Sequence, residues 1–498
     1  MIRSWRTIFL ILGTVVVLAS LTYLGWLLYI KMNSRSESPL KAIPVNTALI
    51  LKINNPHAFW KEVSQQNLIW KKLTLIPSLA KLDSGMNRFD SILKSDEKLM
   101  VMMRDHPLYL VMTVKGRDEP VWMFLIQLSG YEPSGVIKKF IETHFAGQAS
   151  IATFPYGNSD LIRISFRGEK EPLYVAVGKG VFIASAYPDL VSKSLDQIML
   201  NLPSVSSTGF RNVEAITGKK VNANLYINYR LLPPFLSKIL KEGTNFEAEK
   251  QSRLADWSGL DMIVKRDEFL VNGFTTLSDT LSQYLSVFRE QTPQRIEITK
   301  VLPGNTSSFI YIATEDPGRF YSRLTRFLGD RQGFIPSYPE LTRLQNQYNL
   351  AIRDYFLPWT GREMASVSVA AAIPGYPDNE FAVFSMTDGL LADSLLMNLA
   401  RMTGNRPDSV RYEGYTIRQL HLANIVPYLW GPFFSKIKGS CYVLGDGYLI
   451  FGNDVPSLKE YLKQMISENL LSKDRDFISF SENMPDNTNL FFYRNNAR

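Results

Sequence analysis

The sequence predicts an α+β protein: an N-terminal transmembrane helix, then two tandem related units of mainly antiparallel sheet with helices packed on one face. Three observations predict it. A charge-free apolar run opens the chain, from Thr7 to Ile30. A turn–strand–turn–helix block that begins at Pro44 returns at Pro303. A strand–turn–strand–helix block that begins at Tyr174 returns at Tyr442. Self-similarity at a fixed spacing is the signature of repeated architecture.

The first element is the run TIFLILGTVVVLASLTYLGWLLYI. About 20 apolar residues span a bilayer core as a helix. Trp5 at one end, and Trp26 and Tyr29 at the other, suit the headgroup level. A cleaved signal peptide is one alternative, cut near Val17-Leu18-Ala19, but the apolar run continues well past Ala19 and favours an uncleaved anchor. A core helix that is apolar all round is the other alternative. A lipoprotein would need a cysteine just after the run, and none stands there. Arg3 and Arg6 precede the span, while Lys31, Arg35 and Lys41 follow it, so the charge rule comes close to a tie. A short tail before a large domain is the usual layout of a signal anchor. The expectation is therefore a tail at 1–6, an anchor at 7–30 in the cell inner membrane, a polar linker at 31–43, and residues 45–498 periplasmic or otherwise extracytoplasmic.

The first repeat unit is placed at 44–298. Ile43-Pro44-Val45-Asn46-Thr47 launches a strand from Ala48 to Ile53. Asn54-Asn55-Pro56 ends it and opens a helix, because proline at the first helical turn loses no hydrogen bond. Phe59 and Trp60 begin that helix's core face. The second unit, 299–498, repeats the block: Leu302-Pro303-Gly304-Asn305-Thr306, a strand from Ser307 to Ile312, Asp316-Pro317, then Phe320-Tyr321. The Pro-x-Asn-Thr residues recur at a constant offset of 259.

Paired strands follow in each half. Tyr109 to Val114 and Val121 to Leu128 precede a helix over Ser134 to His144. Met364 to Ala371 and Phe381 to Met386 precede a helix over Leu390 to Thr403. Then come hairpins on glycine-containing turns. Tyr174–Val177 and Val181–Ala184 flank Gly178-Lys179-Gly180, and Pro188 opens a helix to Ile198. Tyr442–Leu444 and Tyr448–Phe451 flank Gly445-Asp446-Gly447, and Pro456 opens a helix to Met465.

A third Pro-x-Asn-Thr, at Pro485 to Thr488, leads into Asn489 to Arg494, which matches Asn224 to Arg230. The first half goes on to strands near Leu260–Lys265 and Glu268–Thr276, whereas the second stops at Arg498. Either this unit is shorter or the chain is truncated, and a sheet without its closing strands exposes an edge. Residues 278–300 read as the connection, partly helical around Leu281 to Arg289.

Composition narrows the function classes. The chain has 498 residues, 45% hydrophobic and 12% aromatic, which excludes a disordered chain. One cysteine, Cys441, excludes an intrachain disulfide framework and a multi-cysteine metal site. Cys441 begins an apolar strand and reads as a small buried hydrophobe. Four histidines, His57, His106, His144 and His421, show no metal-ligand spacing and read as surface or capping groups. The net charge of +8 is spread over 55 basic and 47 acidic residues without a dense basic run, so no nucleic-acid partner is expected. Phosphate-loop, dinucleotide and G-x-S-x-G motifs are absent, and Gly178-Lys179-Gly180 is explained by its hairpin. No catalytic residue, cofactor or metal is expected, and the chain reads as not an enzyme.

The aromatics carry the one candidate site. Trp60, Trp70, Trp359 and Trp430 crowd helix and loop segments with Phe59, Phe356, Tyr428, Phe433 and Phe434. Core packing explains most of them. Pro427, Tyr428, Trp430, Phe433 and Phe434 form a candidate interaction loop, because exposed aromatic loops are costly without a partner. The leading expectation is a membrane-anchored scaffold or interaction module for an envelope protein partner. The alternative is a module that binds a lipid or other apolar ligand between the two repeats.

The anchor, the Pro-x-Asn-Thr strand starts and the paired hairpin–helix elements together resemble an uncharacterised family of single-pass membrane-anchored bacterial envelope proteins, known as a domain of unknown function. The resemblance covers about residues 40–498 and rests on turn and strand pattern. It implies an extracytoplasmic domain and no established activity, and it carries over no catalytic residue. Similar proteins run longer at the C-terminus.

Overall fold

The computed structural model describes residues 36–75, 106–115, 119–128, 149–168, 171–207, 209–233, 253–266, 268–278, 283–329, 338–371, 379–482 and 484–495, with residues 80, 83, 84, 86, 87, 90, 91, 94, 139, 142, 143 and 147. The chain divides into two compact units between Leu281 and Ser282.

Antiparallel sheet dominates each unit. The first holds β1 (Thr47–Ile53), β2 (Leu108–Lys115), β3 (Glu119–Gln127), β4 (Ala149–Tyr156), β5 (Ser159–Phe166), β6 (Leu173–Gly178), β7 (Val181–Ser185), β8 (Ala223–Asn228), β9 (Trp257–Val264) and β10 (Phe269–Thr275). Their order across the sheet is β4-β5-β6-β7-β3-β2-β1-β8-β9-β10. The second unit holds β11 (Gln294–Arg295), β12 (Thr306–Ala313), β13 (Thr360–Val369), β14 (Asn379–Met386), β15 (Asp408–Tyr412), β16 (Tyr415–Gln419), β17 (Cys441–Gly445), β18 (Tyr448–Gly452), β19 (Asn487–Thr488) and β20 (Leu490–Arg494). Its main sheet runs β15-β16-β17-β18-β14-β13-β12-β20, and β11 pairs with β19 in a small sheet of their own. Position by position the two large sheets are the same, except that the first carries β9 and β10 beyond β8.

The repeat extends to hydrogen bonds. Thr47 and Thr306 each donate from Oγ1 to the proline carbonyl three residues back, Pro44 and Pro303, at 2.7 Å. Asn46 donates from Nδ2 to the Val114 carbonyl at 2.7 Å, and Asn305 does the same to Ala370 at 2.9 Å. Both first strands carry a register shift at the same place, between Thr47 and Leu49 and between Thr306 and Ser308. The register of the last shared pair is also conserved: Ile50 faces Tyr226, and Phe309 faces Tyr493.

Helices cap these sheets: α1 (Pro56–Lys61), α2 (Leu68–Leu73), α3 (Pro188–Met199), α4 (Phe210–Glu214), α5 (Pro317–Gly329), α6 (Pro339–Tyr348), α7 (Gly389–Met402), α8 (Ile425–Trp430), α9 (Val455–Ile466) and α10 (Arg475–Ser481). Asn55 starts α1 by accepting from the Ala58 N–H, and Asp388 starts α7 by accepting from Leu391.

Two parts of the expected fold class are corrected. Helices lie on both faces of each sheet, not one. In the first unit Ile50 packs with Val191, Leu195 and Phe210, while Ile53 packs with Phe59 and Trp60 on the other side. The strand TALILKI is apolar toward both sides, as strands covered on both faces are. The N-terminal transmembrane helix is the second correction. No helix among the described residues is long and apolar enough to cross a membrane. The longest, α7, has 14 residues and is about 21 Å long, against the ~30 Å of a bilayer core. The segment 7–30 lies outside the described residues, as does most of the helix expected over Ser134 to His144.

The segment read as the connection belongs in large part to the second unit. Tyr284, buried, meets the Phe327 and Phe433 rings edge-on at 5.6 and 5.0 Å.

Candidate functional site

The expected interaction loop is a plug in the second core. Pro427 and Trp430 lie in α8, and Phe433 and Phe434 in a following helical turn, Pro432–Phe434. Pro427, Trp430 and Phe434 are buried, while Tyr428 and Phe433 are half-buried. The Phe384 ring packs on Trp430 at 5.8 Å and on Phe434 at 5.7 Å. Tyr428 accepts a hydrogen bond from Gln345 of α6 at 2.6 Å. These aromatics therefore find their partners inside the unit.

Several charged and polar groups pair with one another, whereas among the described residues the buried Trp430 Nε1 of the plug has no hydrogen-bond partner. Glu363 of β13 accepts from the Tyr311 and Tyr448 hydroxyls at 2.9 and 2.8 Å, and from the Glu297 and Ile298 N–H groups. Burial and that carboxylate push both tyrosines up. Asp393 of α7 takes a two-pronged bond from Arg418 at 2.7 and 2.6 Å and a third from Tyr442 at 2.6 Å. Burial raises its carboxyl, but the Arg418 and Tyr442 hydrogen bonds outweigh that and hold it below its ordinary value. His57 pairs with Asp90 at 2.6 Å, and Lys94 meets the other Asp90 oxygen. His421 pairs with Asp408 at 3.1 Å, and His144 lies outside the described residues. Burial pushes the Cys441 thiol up to about 11, which suits a small buried hydrophobe. Among the described residues no group of three or more His, Cys, Asp or Glu is placed to hold a metal.

Both large sheets are open, and among the described residues the outer edges of β4, β10, β15 and β20 pair with no further strand. The edge of β20, at the end of the second sheet, is the one whose counterpart in the first unit, β8, is covered. Asn489 accepts from Ala313, and Asn495 donates to Ser307, so the backbone of these residues faces β12. The backbone groups of the residues between alternate sides, so Leu490, Phe492 and Arg494 point theirs outward. The Leu490 carbonyl accepts from the Thr488 hydroxyl at 2.9 Å. Among the described residues no strand pairs with this outer edge. Beside it, α10 and β20 expose Ile478 (43%), Phe480 (42%) and Phe492 (59%).

The first unit shows the same place filled. Phe210 of α4 meets Tyr226 of β8 edge-on at 4.9 Å, and Phe477 of α10 meets Tyr493 of β20 edge-on at 5.2 Å. Both pairs are related by an offset of 267. In the first unit β9 then covers the pair: Trp257 packs on Phe210 at 5.5 Å. Gly259, facing Tyr226, sits so close to Val213 that a Cβ on it would stand 2.8 Å from the valine Cβ. In the second unit Phe480 takes the place of Val213 with nothing equivalent above it among the described residues. The exposed edge was anticipated from the strand order. The role of α10 was not, although the 267 offset that relates the strands also relates Phe210 to Phe477.

Comparison with family models, curated proteins and solved structures finds no match to this chain.

Proposed function

We propose that the chain is a non-catalytic interaction module and that the outer edge of β20 is where it holds another polypeptide. The observation that supports this most is the contrast between two equivalent strands: β8 is covered by β9, while among the described residues no strand covers β20, and Phe480 and Phe492 are exposed beside it. A row of unpaired backbone groups is a template for a further strand. The apolar side chains beside it would add burial to those backbone bonds. The resemblance to bacterial envelope proteins supports an extracytoplasmic setting for this role.

The test is affinity purification of the full-length protein from its own cells, with mass spectrometry of proteins and lipids in the peak. A Phe492→Pro variant is run beside it. The Phe492 N–H takes no part in the β12 ladder, and proline is tolerated on strand edges, so the variant keeps the sheet and blunts its edge. The expected result is a polypeptide near stoichiometry that the variant loses. A partner kept by the variant, or a stoichiometric lipid with no polypeptide, would overturn the reading.

A further inference from the structure

The interaction reading leaves open which polypeptide the edge would accept, and the first unit supplies a template. Its register is explicit: Ile227 faces Ser258, Tyr226 faces Gly259, Leu225 faces Leu260, and Asn224 faces Asp261. Carried by the offset of 267, the receiving residues become Arg494, Tyr493, Phe492 and Phe491. We infer that β20 takes an antiparallel strand of a partner protein that reads acidic–small–apolar–apolar across Arg494, Tyr493, Phe492 and Phe491. This rests on the interaction reading above.

Each position has its own reason. The residue across from Tyr493 lies over Phe480. In the first unit this place already admits only glycine beside Val213, and phenylalanine is larger. The residue across from Phe491 differs from its template. Asn224 donates to Asp261 at 2.8 Å, so the first unit pairs amide with carboxylate. Phe491 is buried and apolar, so a carboxylate there would be desolvated without a partner. The residue across from Phe492 covers a ring that is otherwise exposed. The residue across from Arg494 meets an exposed guanidinium, for which a carboxylate is the complementary group.

The exchange of Asn224 for Phe491 gives the inference a signature that general stickiness would not reproduce. The probe is a synthetic peptide of this chain's own hairpin, residues 256–276, in three forms: unchanged, with Asp261→Leu, and with both Asp261→Leu and Gly259→Val. Binding to the full-length protein is followed by fluorescence anisotropy of a label on the peptide, up to about 1 mM, the weak end of specific binding. The Asp261→Leu form is expected to bind at least about tenfold more tightly than the unchanged hairpin. Adding Gly259→Val is expected to remove that gain. Phe492→Pro protein, checked to melt at the same temperature, is expected to lose binding of all three.

Equal affinity of the three peptides, or no saturation by any of them, would overturn the strand pattern. Loss of a stoichiometric partner from Phe492→Pro protein would leave the interaction reading standing in that case. If Phe492→Pro changes neither partner capture nor peptide binding, both fall. Concentration-dependent dimers that Phe492→Pro abolishes, without peptide binding, would name a second copy of the chain as the occupant and overturn the inference.

Discussion

Phe480 occupies the position of Val213, three residues beyond the phenylalanine that each short helix sets edge-on against a sheet tyrosine. Val213 is fully buried beneath Gly259, whereas Phe480 is 42% exposed. One residue position thus has two fates, set by whether a further strand lies over it.

That contrast makes a stability prediction. Val213→Ala removes methyl groups from a packed site and is expected to cost about 2 kcal/mol, transfer and cavity terms together. Phe480→Ala removes a larger side chain, yet is expected to cost no more, about 1–2 kcal/mol, because the ring is only partly buried against Phe491 and Tyr493. Gly259→Val, which forces a side chain into the Val213 contact, is expected to cost about 1–3 kcal/mol. Urea midpoints of the three variants decide it. A larger loss for Phe480→Ala than for Val213→Ala would mean that the ring is covered in solution.

The repeat was legible because its turns have strict chemistry. Asn46 and Asn305 must reach a neighbouring strand's carbonyl, and Thr47 and Thr306 must bond back to a proline carbonyl. Such roles admit few residue types, so they survive as a readable pattern. The strands Ala149–Tyr156, Ser159–Phe166, Asp408–Tyr412 and Tyr415–Gln419 were not anticipated. They lie at one side of each sheet, and their polar residues, such as Arg163 and Arg411, blur the apolar run. Helices on both faces were also missed, although the nearly continuous apolar run of TALILKI, broken by Lys52, is the mark of a strand covered on both faces.

The aromatic segment near Trp430 shows the same ambiguity from the other side. Sequence alone cannot distinguish an exposed aromatic loop from a core plug. The packing of Phe384 against both Trp430 and Phe434 decides for the plug. Trp430→Ala is therefore expected to cost about 3–5 kcal/mol, as other large buried aromatics do. Phe434→Asp is expected to unfold the second unit outright, because the charge would be buried without a partner. Thermal melting of both variants checks this. Unchanged melting of either would return the segment to the surface and restore it as a candidate for partner binding.

Asp393 makes the last prediction, in pH. Its carboxylate ties α7 to β16 and β17 through Arg418 and Tyr442. Its proton affinity in the folded state lies below the ordinary carboxylate value. A group depressed on folding stabilises the protein above its unfolded pKa of about 3.9, and that contribution is lost as pH falls toward the folded value. About a quarter of each side chain of the Asp393–Arg418 pair faces solvent, so screening trims the interaction below that of a fully buried pair. Asp393→Asn is expected to cost about 1–2 kcal/mol at pH 7, and the gap to the unaltered protein is expected to narrow at pH 3. Urea midpoints at the two pH values measure it. A gap that stays constant between pH 7 and pH 3 would show that the side chain's shape, and not its charge, holds the helix to the sheet.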